Sequence, residues 1–169
     1  MSFSQRDFRN ALGCFPTGVT VVTARSAAGY NIGVTVNSFS SVSLEPALIS
    51  FNLGKHLMSL QDLLDARAFA VNILQDCQGH LSGSFARQNS DKWSGIEYVP
   101  GQTGCPVLAS NLATFECEPH AHHTAGDHVI IVGRVLHIST DPDAEPLVFY
   151  RGQYRVLGGR PDGEEQVSA

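Results

Sequence analysis

The sequence lacks the basic character expected of a nucleic-acid-binding protein. Its 11 Lys and Arg residues are outnumbered by 16 Asp and Glu residues, and no run of basic residues occurs. Because proteins that bind DNA or RNA neutralise phosphates with clustered Lys and Arg, the composition argues against nucleic acid as a partner. The sequence also has no apolar run near the ~20 residues that a membrane-spanning helix needs. Residues 1–10 are too polar for a signal peptide.

Cysteine is scarce, and the common nucleotide-binding and nucleophile motifs are missing. The four cysteines, Cys14, Cys77, Cys105 and Cys117, form no CxxC pair and lie far apart in the sequence. This distribution predicts a reduced, cytoplasmic protein. There is no G-x-G-x-x-G, no G-x-x-x-x-G-K-[ST] and no G-x-S-x-G. A nucleotide, if one binds, must therefore be held by another kind of site.

What is present is enough apolar material for one folded domain. Of the 169 residues, 43% are hydrophobic and only 16% are charged. We therefore expect a single domain over residues 1–169, with 158–169 as a polar, flexible tail. Strands follow strands without a regular βαβ alternation. That order favours a mainly β fold, an antiparallel barrel with a few short peripheral helices.

Local patterns place about seven strands and three helices. Runs of β-branched and apolar residues predict strands at 19–24, 32–36, 47–53, 68–74, 113–117, 128–138 and 147–150, with a further short strand at 154–157. Periodic leucines and phenylalanines predict helices after Ser4, which can serve as an N-cap, around 57–66, and at 78–86. Residues 88–106 are expected to form a loop.

A hydroxyl-rich segment follows the second predicted strand. Residues 35–43 contain Thr35, Asn37 and four serines. Hydroxyls and free backbone N–H groups at the end of a strand can bind phosphate oxygens or the edge of a heteroaromatic ring. The alternative is a polar turn whose side chains bond to their own backbone. Lys55, further along the chain, is either a countercharge for such a site or an ordinary surface lysine.

A histidine-rich segment precedes the most apolar predicted strand. His120, His122, His123 and His128 lie within nine residues, near Cys117 and Glu118. Several imidazoles could bind zinc or iron, but the spacing matches none of the usual metal-binding patterns. His128 differs from the others because it follows Gly126-Asp127 and opens the strand. It can face a pocket there, or it can be an ordinary edge histidine bonded to Asp127.

Taken together, several segments resemble one family. They are FPTGVTVVT (15–23), GVTVNSFSSVSL (33–44), FAVNIL (69–74), Leu81-Ser82 with Phe85-Ala86, DKW (91–93), GDH (126–128), and Pro146-Leu147 leading to YRGQY (150–154). In this order they resemble the short-chain flavin reductases, the reductase components of two-component flavin-dependent monooxygenases. The resemblance extends over about residues 8–157.

The resemblance implies a fold, an activity and partners. The implied fold is a split antiparallel β-barrel of the FMN-binding type, assembled as a homodimer. The implied activity is hydride transfer from NADH or NADPH to FMN or FAD, with reduced flavin diffusing to a partner monooxygenase. Because fold alone does not fix function, a non-enzymatic flavin- or haem-binding split barrel remains an alternative, and a metal-dependent enzyme using the histidines is another.

The resemblance also implies which residues form the site. Six residues after the second strand would line the flavin ring and ribityl chain: Thr35, Val36, Asn37, Ser38, Ser40 and Ser41. Lys55 and Ser59 would lie toward the phosphate, and Phe85 and Asp91 would close one side. His128 and Tyr154 would border the nicotinamide, with His128 as a positioning rather than a proton-transferring residue. The resemblance gives no role to His120, His122 and His123.

Overall fold

The computed structural model describes residues 2–88 and 91–158, and it is mainly β. The helices are α1 (Gln5–Leu12), α2 (Leu60–Leu64) and α3 (Gly79–Ala86), with a 3₁₀ turn at Asp76–Gln78 before α3. The strands are β1 (Thr17–Gly18), β2 (Thr20–Arg25), β3 (Asn31–Val36), β4 (Ser40–Leu44), β5 (Ala47–Gly54), β6 (Phe69–Ile73), β7 (Tyr98–Pro100), β8 (Pro106–Leu108), β9 (Ala113–Ala125), β10 (His128–Thr140), β11 (Val148–Tyr150) and β12 (Gln153–Arg155).

Seven of these strands form one antiparallel sheet in the order β3-β2-β6-β9-β10-β5-β4. Smaller sheets join β1 with β11 and β12, and β7 with β8. The predicted mainly β, antiparallel architecture with a few short helices is confirmed. Strands β3 and β5 lie near opposite ends of the sheet order, yet both contribute side chains to one core. The sheet therefore curves around that core, while its closure into a barrel stays a prediction.

The sheet buries both of its faces, as the sequence of β2 shows. Successive side chains of a strand point to opposite faces. Val22 and Ala24 pack into the larger core with Phe51 and Phe69, whereas Val21 packs into a second core beneath α3. Burying each of these valine and phenylalanine side chains contributes about 1.5–3 kcal/mol. The unbroken apolar run of β2 is thus explained by burial on both sides.

The N-terminal helix forms as predicted but buries none of its side chains. The Ser4 hydroxyl accepts a hydrogen bond from the Asp7 backbone N–H, and the Asp7 carboxylate accepts one from the Ser4 N–H, which makes a capping box. Phe8, Leu12 and, just beyond the helix, Phe15 remain exposed. Apart from the Phe3 ring, whose centroid lies 5.8 Å from that of Phe8, the apolar stripe of α1 is therefore uncovered in the part of the chain that the structure describes.

Several local predictions differ from the structure, and strands β1 and β4 were not predicted. The expected loop at 88–106 contains β7, which pairs with β8. The predicted strand 113–117 continues to Ala125, because its polar second half keeps pairing with β10 across a tight turn with Gly126 at φ 59°. Helix α2 begins only at Leu60. The expected tail lies almost entirely outside the described residues. Every helix in residues 2–88 and 91–158 is too short to cross a bilayer.

Candidate functional site

A cleft of about 410 Å³ opens where the ends of β3 and β5 meet the start of β10 and the end of α3. Its walls combine buried apolar side chains with groups that can donate hydrogen bonds. The polar lining residues are Thr35, Asn37, Ser38, Asn52, His56, Gln88, Lys92 and His128. No Asp or Glu is among the described residues that line the cleft. A cleft of this composition suits an anionic, hydroxyl-bearing ligand.

Strand β3 presents its hydroxyl side chain to the cleft because the valines on either side point into the core. Val34 and Val36 are buried, and Thr35 between them faces the other way. The Thr35 hydroxyl donates to the backbone oxygen of Ser82 in α3 at 2.8 Å. Its lone pairs stay available to a ligand. This bond also fixes α3 against β3.

The hydroxyl-rich segment after β3 is tied to β5 by one serine. The Ser38 hydroxyl accepts a hydrogen bond from the Asn52 backbone N–H at 2.9 Å. Ser38 and Asn52 therefore form one continuous edge of the cleft, beside Asn37. Ser38 thus bonds to the backbone of a neighbouring strand rather than to that of its own segment, while Asn37 is exposed in the cleft. The ligand-binding role of the segment stays a prediction.

An aromatic wall closes the cleft on the side of α3. Phe85 is fully buried and meets the Trp93 ring edge-to-face, with ring centroids 5.0 Å apart. Trp93 in turn meets Tyr98 at 5.1 Å. Gly33 permits this approach, because a Cβ atom there would overlap the Phe85 ring and lie 3.3 Å from Trp93. Packing against Phe85 therefore requires a glycine at position 33.

Lys92 supplies a positive charge to the cleft. Its ammonium donates to the backbone oxygens of Gly33 at 3.2 Å and Phe85 at 3.1 Å. Partial burial lowers the pKa of Lys92. The ion pairs found in residues 2–88 and 91–158 do not include it. An ammonium carries three N–H donors, so one donor remains for an anion.

His128 stands at the mouth of the cleft, where the β9–β10 hairpin meets β5. His128 pairs with Gly54 at the end of β5. Next to this pair, the Lys55 backbone N–H donates to the backbone oxygen of Asp127 at 2.9 Å. Nδ1 of His128 lies 2.8 Å from the Asp127 carboxylate, and this hydrogen bond lowers the pKa of Asp127. Since an ionised carboxylate only accepts, Nδ1 is the donor and Nε2 is left for a ligand. Both interpretations of His128 hold at once: it bonds to Asp127 and lines the cleft.

The structure brings together six of the predicted site residues in this cleft: Thr35, Val36, Asn37, Ser38, Phe85 and His128. Ser59 and Asp91 line a smaller, neighbouring cavity. Ser40, Ser41 and Lys55 line neither, and Ser40 and Ser41 lie on the exposed edge strand β4. Tyr154 is outside both cavities and donates from its hydroxyl to the Ser82 hydroxyl at 2.8 Å, behind Thr35.

Several lining residues were not predicted to belong to the site. Lys92 and Trp93 belong to the DKW segment (91–93) that supported the family resemblance, but neither was given a role. The position of Lys92 directly after the predicted site residue Asp91 could have indicated it. Asn52 and His56 flank the end of β5, where no local pattern distinguishes them from surface residues. Only the pairing of β5 with β10, which is distant in sequence, brings them to the cleft.

The remaining histidines are spread along exposed strand positions. His122 and His123 pair with Ile131 and Ile130, and His120 is the extra residue at a bulge in β9. All three side chains are exposed. Across residues 2–88 and 91–158, no three His, Cys, Asp or Glu side chains converge as metal ligands would.

Comparison with known proteins places this chain in a family. The model of the flavin reductase like domain matches residues 12–158. The chain belongs to this family. Among curated relatives, the NADH-dependent FMN reductase SmoA of Agrobacterium fabrum is 44% identical over 151 residues, which covers 89% of this chain and 85% of the relative. The reductase subunit of a stachydrine N-demethylase from Rhizobium meliloti is 43% identical over 133 residues, which covers 79% of this chain.

The chain spans only part of some relatives. It covers 58% of the stachydrine N-demethylase reductase subunit and 43% of a probable flavin reductase from Rhizobium meliloti that is 45% identical over 79% of this chain. Solved structures match along nearly the whole length. A homologue of nitrilotriacetate monooxygenase component B from Mycobacterium thermoresistibile has a TM-score of 0.89 and 35% identity, over 98% of this chain and 92% of that one.

A second structure carries ligands. An NADH:FAD oxidoreductase of Streptomyces globisporus, solved in complex with NAD and FAD fragments, has a TM-score of 0.87 and 34% identity, over 95% of this chain and 96% of that one.

The donor set of the present cleft fits a flavin. Hydroxyl and amide groups suit the ribityl chain and ring edge, Lys92 suits a phosphate, and no carboxylate among the described lining residues opposes either.

Proposed function

We propose that this protein is an NAD(P)H:flavin oxidoreductase that reduces FMN or FAD and supplies the reduced flavin to a separate flavin-dependent monooxygenase. The observation that carries the proposal is the cleft itself, which combines hydroxyl and amide donors, a partly buried ammonium and an aromatic wall with no acidic lining residue in the described part of the chain. Relatives named as flavin reductases and as monooxygenase reductase subunits support the assignment.

The residues of the cleft would divide the work of binding. Thr35, Asn37 and Ser38 would hold the ring edge and ribityl chain, and Phe85 would close the site beside α3. Bound flavin supplies the chemistry, because its ring accepts the two electrons delivered as a hydride by the nicotinamide. The protein orients the two ligands and stabilises the negative charge that develops, through N–H and O–H donors already held in place.

His128 would position the nicotinamide rather than transfer a proton. Its Nδ1 is occupied by Asp127, which fixes the ring and leaves Nε2 at the cleft mouth. His128→Ala is expected to raise the KM for NADH about tenfold, the effect of losing one hydrogen bond to the ligand. Its kcat and the flavin Kd are expected to change less than threefold. An unaltered KM for NADH removes this role from His128.

A homodimer would cover the apolar surface that the chain leaves exposed. Phe8, Leu12 and Phe15 form one exposed apolar group, and Val42 and Leu44 project from the unpaired edge of β4, with Leu44 96% exposed. Such surfaces ordinarily mark an interface. Light scattering after size exclusion is expected to give twice the 18.2 kDa chain mass. Leu44→Glu is expected to shift the population toward monomer, and a monomeric wild type would refute the dimer.

The four thiols are all free, as a reduced, cytoplasmic protein requires.

The decisive experiment is steady-state oxidation of NADH and NADPH with FMN, FAD or riboflavin, followed by loss of the reduced nicotinamide absorbance. Flavin-dependent turnover above a no-protein control is expected. Flavin binding without turnover would instead favour a non-enzymatic flavin-binding protein. Turnover that persists when reduced flavin is trapped by an added monooxygenase would support transfer by diffusion.

A further inference from the structure

Tyr154 makes its hydrogen bond to α3 rather than to a ligand-sized cavity. Its hydroxyl donates to the Ser82 hydroxyl at 2.8 Å, and a Cβ atom on Gly79 in the first turn of α3 would lie 3.7 Å from its ring. Tyr154 is 43% exposed, and it is not among the described residues that line the cleft or the smaller cavity beside it. The family resemblance implies a place beside the nicotinamide, whereas this bond connects Tyr154 to α3.

Ser82 receives hydrogen bonds from two different strands. Its side-chain hydroxyl accepts from Tyr154 on β12, and its backbone oxygen accepts from the Thr35 hydroxyl on β3 at 2.8 Å. A serine inside a helix commonly bonds to the carbonyl four residues earlier, as Ser84 does to His80 at 3.1 Å. The buried Ser82 hydroxyl bonds to Tyr154 instead. Ser82 thus joins β12 to the strand that presents Thr35 to the cleft.

The bond to Ser82 decides what Thr35 offers to a ligand. A hydroxyl carries one proton, and that of Thr35 goes to the Ser82 backbone oxygen, so Thr35 meets a ligand as an acceptor. If α3 moved away from β3, the Thr35 hydroxyl would lose this acceptor and could rotate. The position of Ser82 therefore controls both the direction and the polarity of the Thr35 hydroxyl in the cleft.

The β11–β12 hairpin that carries Tyr154 is held in place by other contacts. Strand β11 pairs with both β1 and β12, and the Arg151 backbone N–H donates to the Gly13 oxygen at 3.0 Å. The Phe149 ring meets the Tyr154 ring with centroids 5.8 Å apart and packs against the core beneath α3. Removal of the Tyr154 hydroxyl alone should therefore leave the hairpin where it is and release only Ser82.

We propose that Tyr154 is a positioning residue for flavin binding: through Ser82 it holds α3 against β3 and keeps the Thr35 hydroxyl directed into the cleft as an acceptor. The proposal rests on the proposed function, because it takes flavin as the ligand of the cleft. Tyr154 then acts on the flavin site and not on the nicotinamide site, which is the opposite of what the family resemblance implies.

The test is a double-mutant cycle on the FMN Kd, measured by quenching of flavin fluorescence in Tyr154→Phe, Thr35→Val and the double variant. Tyr154→Phe removes only the hydroxyl and is expected to weaken FMN binding about fivefold, and Thr35→Val about tenfold. Because Tyr154 acts through Thr35, the double variant is expected to match Thr35→Val alone, rather than reach the loss of about fiftyfold that independent effects would give. A bond that served only stability would lower the free energy of unfolding and leave the FMN Kd unaltered.

Three further variants control for the substitutions themselves. Ser82→Ala removes the partner of Tyr154 and is expected to reproduce the loss of about fivefold. Tyr150→Phe makes the same change as Tyr154→Phe in the same hairpin, and Ser84→Ala removes a serine hydroxyl that bonds only within α3. Both are expected to leave the FMN Kd unaltered.

The KM for NADH at saturating FMN separates the two possible positions of Tyr154. The proposal expects Tyr154→Phe to leave this KM unaltered. A raised KM for NADH with an unchanged FMN Kd would return Tyr154 to the nicotinamide site and overturn the proposal. Additive losses in the double variant would overturn it as well, even when flavin reduction persists. If the wild type binds no flavin, the proposed function fails, and the role of Tyr154 in flavin binding fails with it.

Discussion

The polar groups of the sheet interior and those of the cleft differ in how completely they are bonded. Asn72 on β6 is fully buried, and its amide nitrogen donates to the Val21 oxygen at 2.9 Å and the Thr23 hydroxyl at 3.1 Å. Its oxygen accepts from the Leu108 N–H at 3.1 Å and the Asn111 side chain at 2.9 Å. In the cleft wall, the Lys92 ammonium makes two hydrogen bonds and keeps one donor free.

The comparison separates polar residues that hold the fold from those that await a ligand. A buried group whose donors and acceptors are all used inside the protein stabilises the native state and has nothing left to offer. A group with spare capacity costs stability until a ligand supplies the missing partner. Substitution should therefore change mainly stability at the first kind of residue and mainly affinity at the second.

The largest effect is expected at Asn72. Asn72→Leu keeps the volume but leaves the buried Leu108 N–H without an acceptor. It also removes one hydrogen bond each from the Thr23 hydroxyl and the Asn111 side chain, which keep other partners. We expect the free energy of unfolding to fall by about 3–4 kcal/mol. Urea denaturation at fixed protein concentration and without flavin measures it, since bound ligand or dimerisation would otherwise mask the change. A loss below about 1 kcal/mol would mean that packing, rather than the Asn72 hydrogen bonds, holds β8 against β6.

Gly33→Ala should affect both properties, because Gly33 lies where the core meets the cleft. The added methyl overlaps the buried Phe85 ring. Relief requires movement of Phe85 and of the Lys92 ammonium bonded to Gly33. We expect a loss of about 1–3 kcal/mol in unfolding free energy and a weaker FMN Kd, measured by quenching of flavin fluorescence.

Gly83→Ala is the matched control for this substitution. Gly83 lies in α3, and no atom lies within 4 Å of a Cβ placed there. Alanine is the better helix former, so we expect this variant to be as stable as the wild type or more stable by up to about 1 kcal/mol. Equal losses in both variants would show that α3, rather than the contact with β3, is the sensitive element.

The sequence predicted those parts of the molecule that depend on local patterns. Runs of β-branched and apolar residues identified β2, β3, β5 and β6, and Ser4 identified the cap of α1. The hydroxyl-rich segment marked one wall of the cleft, because a strand end with successive hydroxyls is recognisable without knowing its neighbours. The mainly β class and some residues of one cleft wall thus followed from short-range features and from the family resemblance.

The rest depends on contacts between residues far apart in the chain. Lys92 enters the cleft because its ammonium reaches the Gly33 oxygen across 59 positions. Asn52 and His56 join it through the β5–β10 pairing. The short strands β7 and β8 carry weak local signals, since their pairing is fixed by a glycine-containing turn and by neighbours in space. Such positions look like ordinary surface residues in the sequence.

Glu116 offers a third test, through pH. It is buried on β9 and accepts hydrogen bonds from the Gln102 N–H at 3.0 Å and from the Thr103 N–H and hydroxyl at 2.7 Å. Burial raises the pKa of Glu116, but the bonds from Thr103 and Gln102 outweigh it, so the pKa lies below its ordinary value of 4.5. The stabilisation is therefore complete above pH 4.5 and is lost as the pH falls through the lowered folded-state pKa.

Glu116→Gln should remove this pH-dependent contribution. At neutral pH we expect the variant to lose about 1–2 kcal/mol of unfolding free energy, since hydrogen bonds to a charged acceptor are replaced by neutral ones. The difference from the wild type should shrink on acidification below pH 4.5, measured by urea unfolding at several pH values. Glu97→Gln, at an exposed position, controls for the change in net charge. A difference that grows on acidification would contradict the bonding described.

The smallest effect on stability is expected at Lys92, where the effect on binding should be distinct. Burial lowers the pKa of Lys92, so the charged ammonium costs the folded state some stability at neutral pH. Lys92→Met removes that cost and two hydrogen bonds, and we expect less than about 1 kcal/mol of net change in unfolding free energy. The FMN affinity should fall about tenfold, and the riboflavin affinity less, because riboflavin has no phosphate.

Lys55→Met separates the two lysines: Lys55 lies outside both cavities, although the family resemblance places it toward the phosphate. A larger FMN loss in Lys55→Met than in Lys92→Met would assign the phosphate to the end of β5 and leave Lys92 as a residue that joins β3 to α3.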